Sequence, residues 1–259
     1  MRGQAKSLLK QGIAKFRIKT HDTNSETEDN SAKYTQILRG AISLQKPFNI
    51  VQIGANDGVH GDPIYDFVKE YKHSTNIILV EPVETLIPHL KENYAYHPSA
   101  EIVNKAIGDM SSIRLYGVKK EYWADVDVEY GEDWPEYRIP TGVTTTDKDR
   151  LTEWIAKNVQ SKSKTEEIIE TFDVDVSQPG SLVERSQIMD EVHLLQVDTE
   201  GMDDEIVYSF LEGGTHPNII NIERKHLTKE REEEYNQKLA DKGYELCDYT
   251  WREKLALRR

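Results

Sequence analysis

The sequence predicts an α/β protein built on a mostly parallel sheet with helices on both faces. Two observations carry this. Five short aliphatic runs, "FNIVQI", "NIILV", "AEIVNKAI", "VHLLQV" and "NIINI", each end at a glycine or a polar residue, which is the pattern of buried parallel strands. Helical patterns, "PIYDFVKEY", "TLIPHLKENY" and "DDEIVYSFLEG", fall between several of them, and strand alternating with helix implies crossover connections. A chain of 259 residues suits one such domain with room for an insertion.

The segments follow in order. The first twenty residues carry Arg2, Lys6, Lys10, Lys15, Arg17 and Lys19 and no acid, with Leu9, Ile13 and Phe16 near one helical face. Such a helix could lie on an anionic membrane surface, meet a partner, or rest on its own domain. "HDTNSETEDNS" reads as a polar linker. The basic segment and linker thus occupy 1–40 and the main domain 41–259. "YTQILRGAI" reads as a short helix leading into the first strand. Between about residues 111 and 191 the alternation lapses. That stretch contains the acidic, aromatic "EYWADVDVEYGEDWPEY", a helix "DRLTEWIAKNV" and a polar break "QSKSKTEE", and reads as an elaboration between the third and fourth strands.

Composition excludes several classes. The net charge of -13 argues against nonspecific binding to nucleic acid, which needs a basic footprint. It suits a neutral or cationic ligand, and equally a protein kept dispersed by charge. Cys247 is the single cysteine, so neither an internal disulfide nor a cysteine metal site can form, and a reducing, cytoplasmic compartment is expected. No apolar run approaches the roughly 20 residues of a membrane span, and no signal-peptide pattern opens the chain.

Ligands of open α/β sheets bind beyond the carboxyl ends of the strands. There the sequence places Gly54, Ala55, Asn56, Asp57 and Gly58, then Glu81 and Pro82, then Asp198 and Glu200, then Glu223. Gly54 and Gly58 permit a tight turn and close approach of a ligand to backbone. The helix starting near Pro63 could face an anion with its N-terminus. The loop also fits a turn without any ligand. Glu81 is placed to accept hydrogen bonds from both hydroxyls of a ribose, or to cap the following helix. Asp203 and Asp204 fall in a first helical turn, where the helix dipole favours them.

"IVQIGANDG", "LVEPVETLIPHLKEN", "NKAIGD", "LLQVDTEGMDDEIV" and "NIINIERKHL" occur in that order. Together they resemble the FkbM-type family of S-adenosylmethionine-dependent methyltransferases, over about residues 48–250. The resemblance implies a class I, Rossmann-like three-layer fold with a seven-stranded, mostly parallel sheet whose last strand is antiparallel, "GYELCDYTW" being one of the closing strands. It implies S-adenosylmethionine as cofactor. The glycine loop would hold the methionine part, Glu81 the ribose, and Lys105, Ala106 and Ile107 the region around adenine. Gln52 departs from the acid usual at its position, and Asp57 or Asp198 could supply the missing charge.

The reaction expected is O-methylation of a sugar, glycan or other small-molecule hydroxyl. The base would come from Asp198 with Glu200, or from Glu223 with His226 in "ERKHL", imidazole being the side chain that titrates near neutrality; His60 is a further candidate. Mg²⁺ could be held by Asp198, Glu200, Asp203 and Glu223, although no diagnostic spacing marks a metal site. Tyr122, Trp123, Tyr130, Trp134 and Tyr137 could form a platform for a sugar, or merely anchor an acidic loop. Two other classes stay open: a non-catalytic binding module of the same fold, and a metal-dependent hydrolase around Asp198 and Glu200. A homo-oligomer is compatible with all of these.

Overall fold

The computed structural model describes residues 27–128 and 134–259, with side chains from residue 33. The basic segment 1–20 and Tyr130 lie outside the described residues.

The main sheet has seven strands: β1 (Phe48–Ile53), β2 (Thr75–Val80), β3 (Ala100–Val103), β7 (Leu194–Val197), β8 (Ile219–Glu223), β9 (Tyr244–Asp248) and β10 (Glu253–Arg258). Their order is β3-β2-β1-β7-β8-β10-β9. The first five are parallel, and β10 inserts antiparallel between β8 and β9. This is the seven-stranded sheet with an antiparallel last strand that the resemblance implied. Strand order reverses between β1 and β7, so the loops after those two strands face each other at the switch point.

Alternate residues feed two cores. On one face Ile50, Ile77, Leu79, Leu194 and Leu255 pack under α1 (Thr27–Leu44), α2 (Tyr65–Glu70) and α3 (Ile87–Asn93). Helix α1 buries Tyr34, Leu38 and Ile42, and the Tyr34 hydroxyl donates to Gln196 Oε1 at 2.9 Å. Sequence reading started the domain at residue 41 and placed a linker at 21–31. Residues 27–31 are instead helical, and the helix crosses residue 40 because its apolar stripe covers the sheet.

The elaboration is a second, three-stranded sheet in the order β4-β6-β5, made of β4 (Ala106–Ile107), β5 (Ser112–Val118) and β6 (Ile169–Ser177). "AEIVNKAI" is therefore not one strand. It breaks at Asn104 and Lys105, and its second half leaves the main sheet to pair with Val176 and Ser177. Short helices α4 (Arg138–Gly142), α5 (Lys148–Asn158) and α6 (Thr165–Ile168) complete the insertion. It has its own small core of Val118, Leu151, Ile155, Ile168 and Ile169. Helix α5 begins where predicted because Asp147 caps it, accepting from the N–H groups of Asp149 and Arg150. On the opposite face of the main sheet α7 (Pro179–Arg185), α8 (Asp203–Glu212) and α9 (Lys229–Asp241) cover Val51, Ile53, Val80, Leu195 and Ile220, closing the three layers. Among the described residues no helix is long and apolar enough to cross a membrane.

Candidate active site

The site begins where β1 and β7 end. Gly54 has φ +76°, and a Cβ there would collide with the backbone carbonyl of Asp198, so the two strand tips meet only because residue 54 is glycine. Asn56 also takes a positive φ, 50°, which turns its N–H onto Glu81 Oε2 at 2.7 Å. The other oxygen, Oε1, accepts from the Val83 N–H at 2.8 Å. Glu81 therefore does cap the following turn, as one reading expected, and also ties the glycine loop to β2. Its carboxylate borders a cleft and is pushed up to about 7 by burial, against which the two N–H donors act.

That cleft, about 870 Å³ with its open mouth, runs over the switch point. Gly54, Asn56, Glu81, Pro82, Lys105, Ala106, Ile107, Asp198 and Glu200 all line it. Three of the predicted loop residues point elsewhere. Ala55 is in the α1-side core. Gly58 abuts Leu90 and Tyr94. Asp57 folds back on its own loop, accepting from the N–H groups of Val59 and His60 and pairing with His60 Nδ1 at 2.6 Å. His60 is thereby spent on Asp57 and lines neither cavity described here. Nor is Asp57 the acid that answers Gln52. Gln52 Nε2 donates to Asp62 Oδ2 at 2.7 Å, and Asp62 also accepts from the N–H groups of Ile64 and Tyr65, taking the helix start that was expected to face a ligand anion.

A second cavity, about 1070 Å³, adjoins the first. Ile113, Thr145, Thr146, Glu200 and Met202 border both, so the two open onto a common wall. His226, Arg150 and Arg231 line the second. His226 Nε2 lies 2.8 Å from Glu200 Oε2 and 3.5 Å from Glu223 Oε2. Arg150, reaching in from α5, donates to both the carbonyl and the carboxylate of Glu200. Burial drives Glu200 upward, but His226 and Arg150 outweigh it and hold the group below its ordinary value. Asp198 goes the other way, to about 7, through burial and the charge of Glu200. Glu223 reaches about 9 through burial and the charges of Asp198 and Glu200. Asp198 and Glu200, two residues apart, are thus shifted in opposite directions by their surroundings.

The four acids expected to hold Mg²⁺ do not converge. Asp203 folds back onto Thr199 and Gly201 at the start of α8. The ligand atoms that do come within 4.8 Å of one another belong to Glu200, Glu223 and His226. An imidazole in that set, and a guanidinium already on Glu200, do not fit an ion that prefers an all-oxygen shell. Among the described residues the aromatic platform is not formed either. Tyr122 and Trp123 pack into the insertion's core, Trp134 stacks on Arg138, and Tyr137 stacks on His89. Sequence reading missed Arg138, Arg150, Thr145 and Thr146. All four come from the insertion, where no local pattern marks a residue as reaching the strand tips.

A family model described as a methyltransferase FkbM domain matches residues 52–246. No curated protein matches the sequence. Among solved structures, the chain is similar to the Methanococcus jannaschii fibrillarin pre-rRNA processing protein, at 10% identity and a TM-score of 0.42, covering 86% of this chain and 75% of that one. It is similar to Aeropyrum pernix fibrillarin in complex with natively bound S-adenosyl-L-methionine, at 9% identity and a TM-score of 0.41, covering 88% and 75%. A human methyltransferase 10 domain containing protein matches at 10% identity and a TM-score of 0.40, covering 99% and 96%.

Proposed function

The chain belongs to the FkbM methyltransferase family, and from that premise we propose that it is an S-adenosylmethionine-dependent O-methyltransferase acting on a hydroxyl of a small molecule or glycan. The observation that carries this reading is the junction of the two cavities, with Glu200 in the shared wall and His226 beside it. The first cavity suits the methyl donor. It offers Glu81 for a ribose and the segment Lys105–Ile107 for the base, and the Asp198 carboxyl accepts no hydrogen bond from any described residue. Family membership sets aside the hydrolase and the non-catalytic module.

When bound, the donor supplies a methyl group already activated on a sulfonium. The protein's own task is to place an acceptor hydroxyl at the junction and remove its proton. Glu200, held as an anion by His226 and Arg150, stands 2.8 Å from the imidazole Nε2. That leaves Nδ1 as the nitrogen free to take the proton. Thr145 and Thr146, at the rim of both cavities, offer hydroxyls to a polar acceptor. A second cavity bordered by threonines, arginines and carboxylates supports a polyhydroxylated acceptor better than a flat aromatic one. Mg²⁺ enters no step.

The test is labelled methyl transfer to a panel of hydroxylated acceptors by the parent protein and by His226→Gln. The variant is expected to lose about 10²–10⁴-fold in kcat while binding S-adenosylhomocysteine as tightly as the parent. Full turnover without the imidazole would overturn His226 as the base.

A further inference from the structure

We infer that Arg138 recognises the carboxylate of the donor's amino-acid tail, with Asp198 opposite it for the ammonium group, so that the insertion supplies half of the donor site. The inference rests on the donor reading above.

Arg138 begins α4, far in sequence from any strand tip, yet it lines the first cavity and its side chain is only 16% exposed. Its Nε donates to the His60 carbonyl at 2.9 Å and stands 3.9 Å from Asp57 Oδ1. The guanidinium lies over Trp134, 5.2 Å from the ring centre. Glycines make room for it: a Cβ on Gly142 would collide with Nη1, and one on Gly61 would sit 3.6 Å from Nη2. The head group is therefore clamped from several sides. Its two terminal nitrogens, however, donate no hydrogen bond to any described residue.

Asp57, 3.9 Å from Nε, pairs with the group from the loop side, and the outer N–H groups are left open to a ligand in the cleft. The fork of N–H groups matches a carboxylate in two contacts. The candidate anions in the cavity wall, Glu81 and Asp198, feel the positive charge, since Arg138 opposes the upward drive that burial exerts on both. Neither is bonded to it. Lys105 is the other cation of the wall, and Arg138, not Lys105, is the lining cation that acts on both Glu81 and Asp198. The wall beside Asp198 therefore presents a guanidinium whose outer N–H groups are open, beyond its pairing with Asp57 through Nε, and a carboxyl that accepts no hydrogen bond among the described residues. That pair complements a zwitterion, and the methionine part of the donor is one.

The test compares two ligands by calorimetry. S-adenosylhomocysteine carries the amino-acid tail; 5′-methylthioadenosine has the same nucleoside thioether without it. Arg138→Ala is expected to weaken the first by about 10- to 100-fold and to leave the second unchanged. Arg138→Gln, which removes the charge but keeps part of the side chain's length, should do the same and serves if the alanine variant does not fold. Equal weakening of both ligands, or no weakening of the first, overturns the inference. Failure of the parent protein to bind either ligand would instead bring down the donor reading beneath it.

Discussion

Glu81 shows how much one side chain can be asked to do. Both carboxylate oxygens already accept a backbone N–H, at 2.7 and 2.8 Å, and each keeps lone-pair capacity toward the cleft. Glu81→Gln would turn one acceptor into a donor facing an N–H group. It should weaken S-adenosylhomocysteine and 5′-methylthioadenosine alike, by about 10- to 100-fold, because the ribose is common to both. Titration calorimetry checks this, and unchanged affinity for both would remove Glu81 from the donor site. Glu81 and Gly54 were legible because their chemistry is tied to a strand tip that periodicity locates. Asp57 was misjudged for the same reason: a strand-tip position does not say which way a side chain turns, and this one turns back to His60 and Val59. Arg138 and Arg150 were illegible because their partners lie scores of residues away.

At the scale of elements, α1 is the part most at odds with the sequence reading. Its polar composition suggested a linker leading to a short helix, but Tyr34, Leu38 and Ile42 recur at helical spacing and all three are buried. Leu38→Ala should cost about 2–5 kcal/mol of stability by leaving a cavity. Tyr34→Phe should cost only about 1 kcal/mol, since Gln196 Oε1 keeps its bond from Asn221. A chain beginning at residue 41, the boundary read from sequence, would uncover the face of β1 and β7 and should unfold at far lower denaturant than one beginning at 27. Chemical denaturation of the two variants and the two truncated chains beside the parent measures these differences, and indifference to the truncation would show that α1 is dispensable. The core strands were readable because burial on both faces makes them uniformly apolar. The insertion was readable only as a lapse, since β4 and β6 pair across a long separation in sequence and no local period encodes that.

For the whole molecule, the dominant electrostatic feature is a group of buried carboxylates at the ends of β7, β8 and β10. Asp198, Asp203 and Glu253 are each pushed up to about 7, and Glu223 to about 9, burial being the first cause throughout. The sign of the consequence is fixed. An unfolded glutamate releases its proton near pH 4.3, whereas folded Glu223 keeps its proton until about pH 9. The folded chain thus binds more protons, and stability falls as pH rises through that interval. Groups with the opposite linkage act elsewhere. Asp57 and Glu200, held low, matter only in acid, and His97, lowered to about 4 by burial, matters below the ordinary imidazole range. Between pH 7.5 and 8.5 Glu81, Asp198, Asp203 and Glu253 still hold part of their protons and the raised Cys247 thiol acts in the same direction, so Glu223 contributes up to about 1.4 kcal/mol per pH unit of a steeper total slope. Glu223→Gln keeps the shape and removes the titrating proton, so its stability should fall less steeply than the parent's across that window, by up to about 1.4 kcal/mol per pH unit, and exceed the parent's at pH 8.5. Urea unfolding at several pH values reads the slope directly. A parent curve as flat as the variant's would mean that Glu223 is already ionised at neutrality, leaving two anions rather than one beside His226.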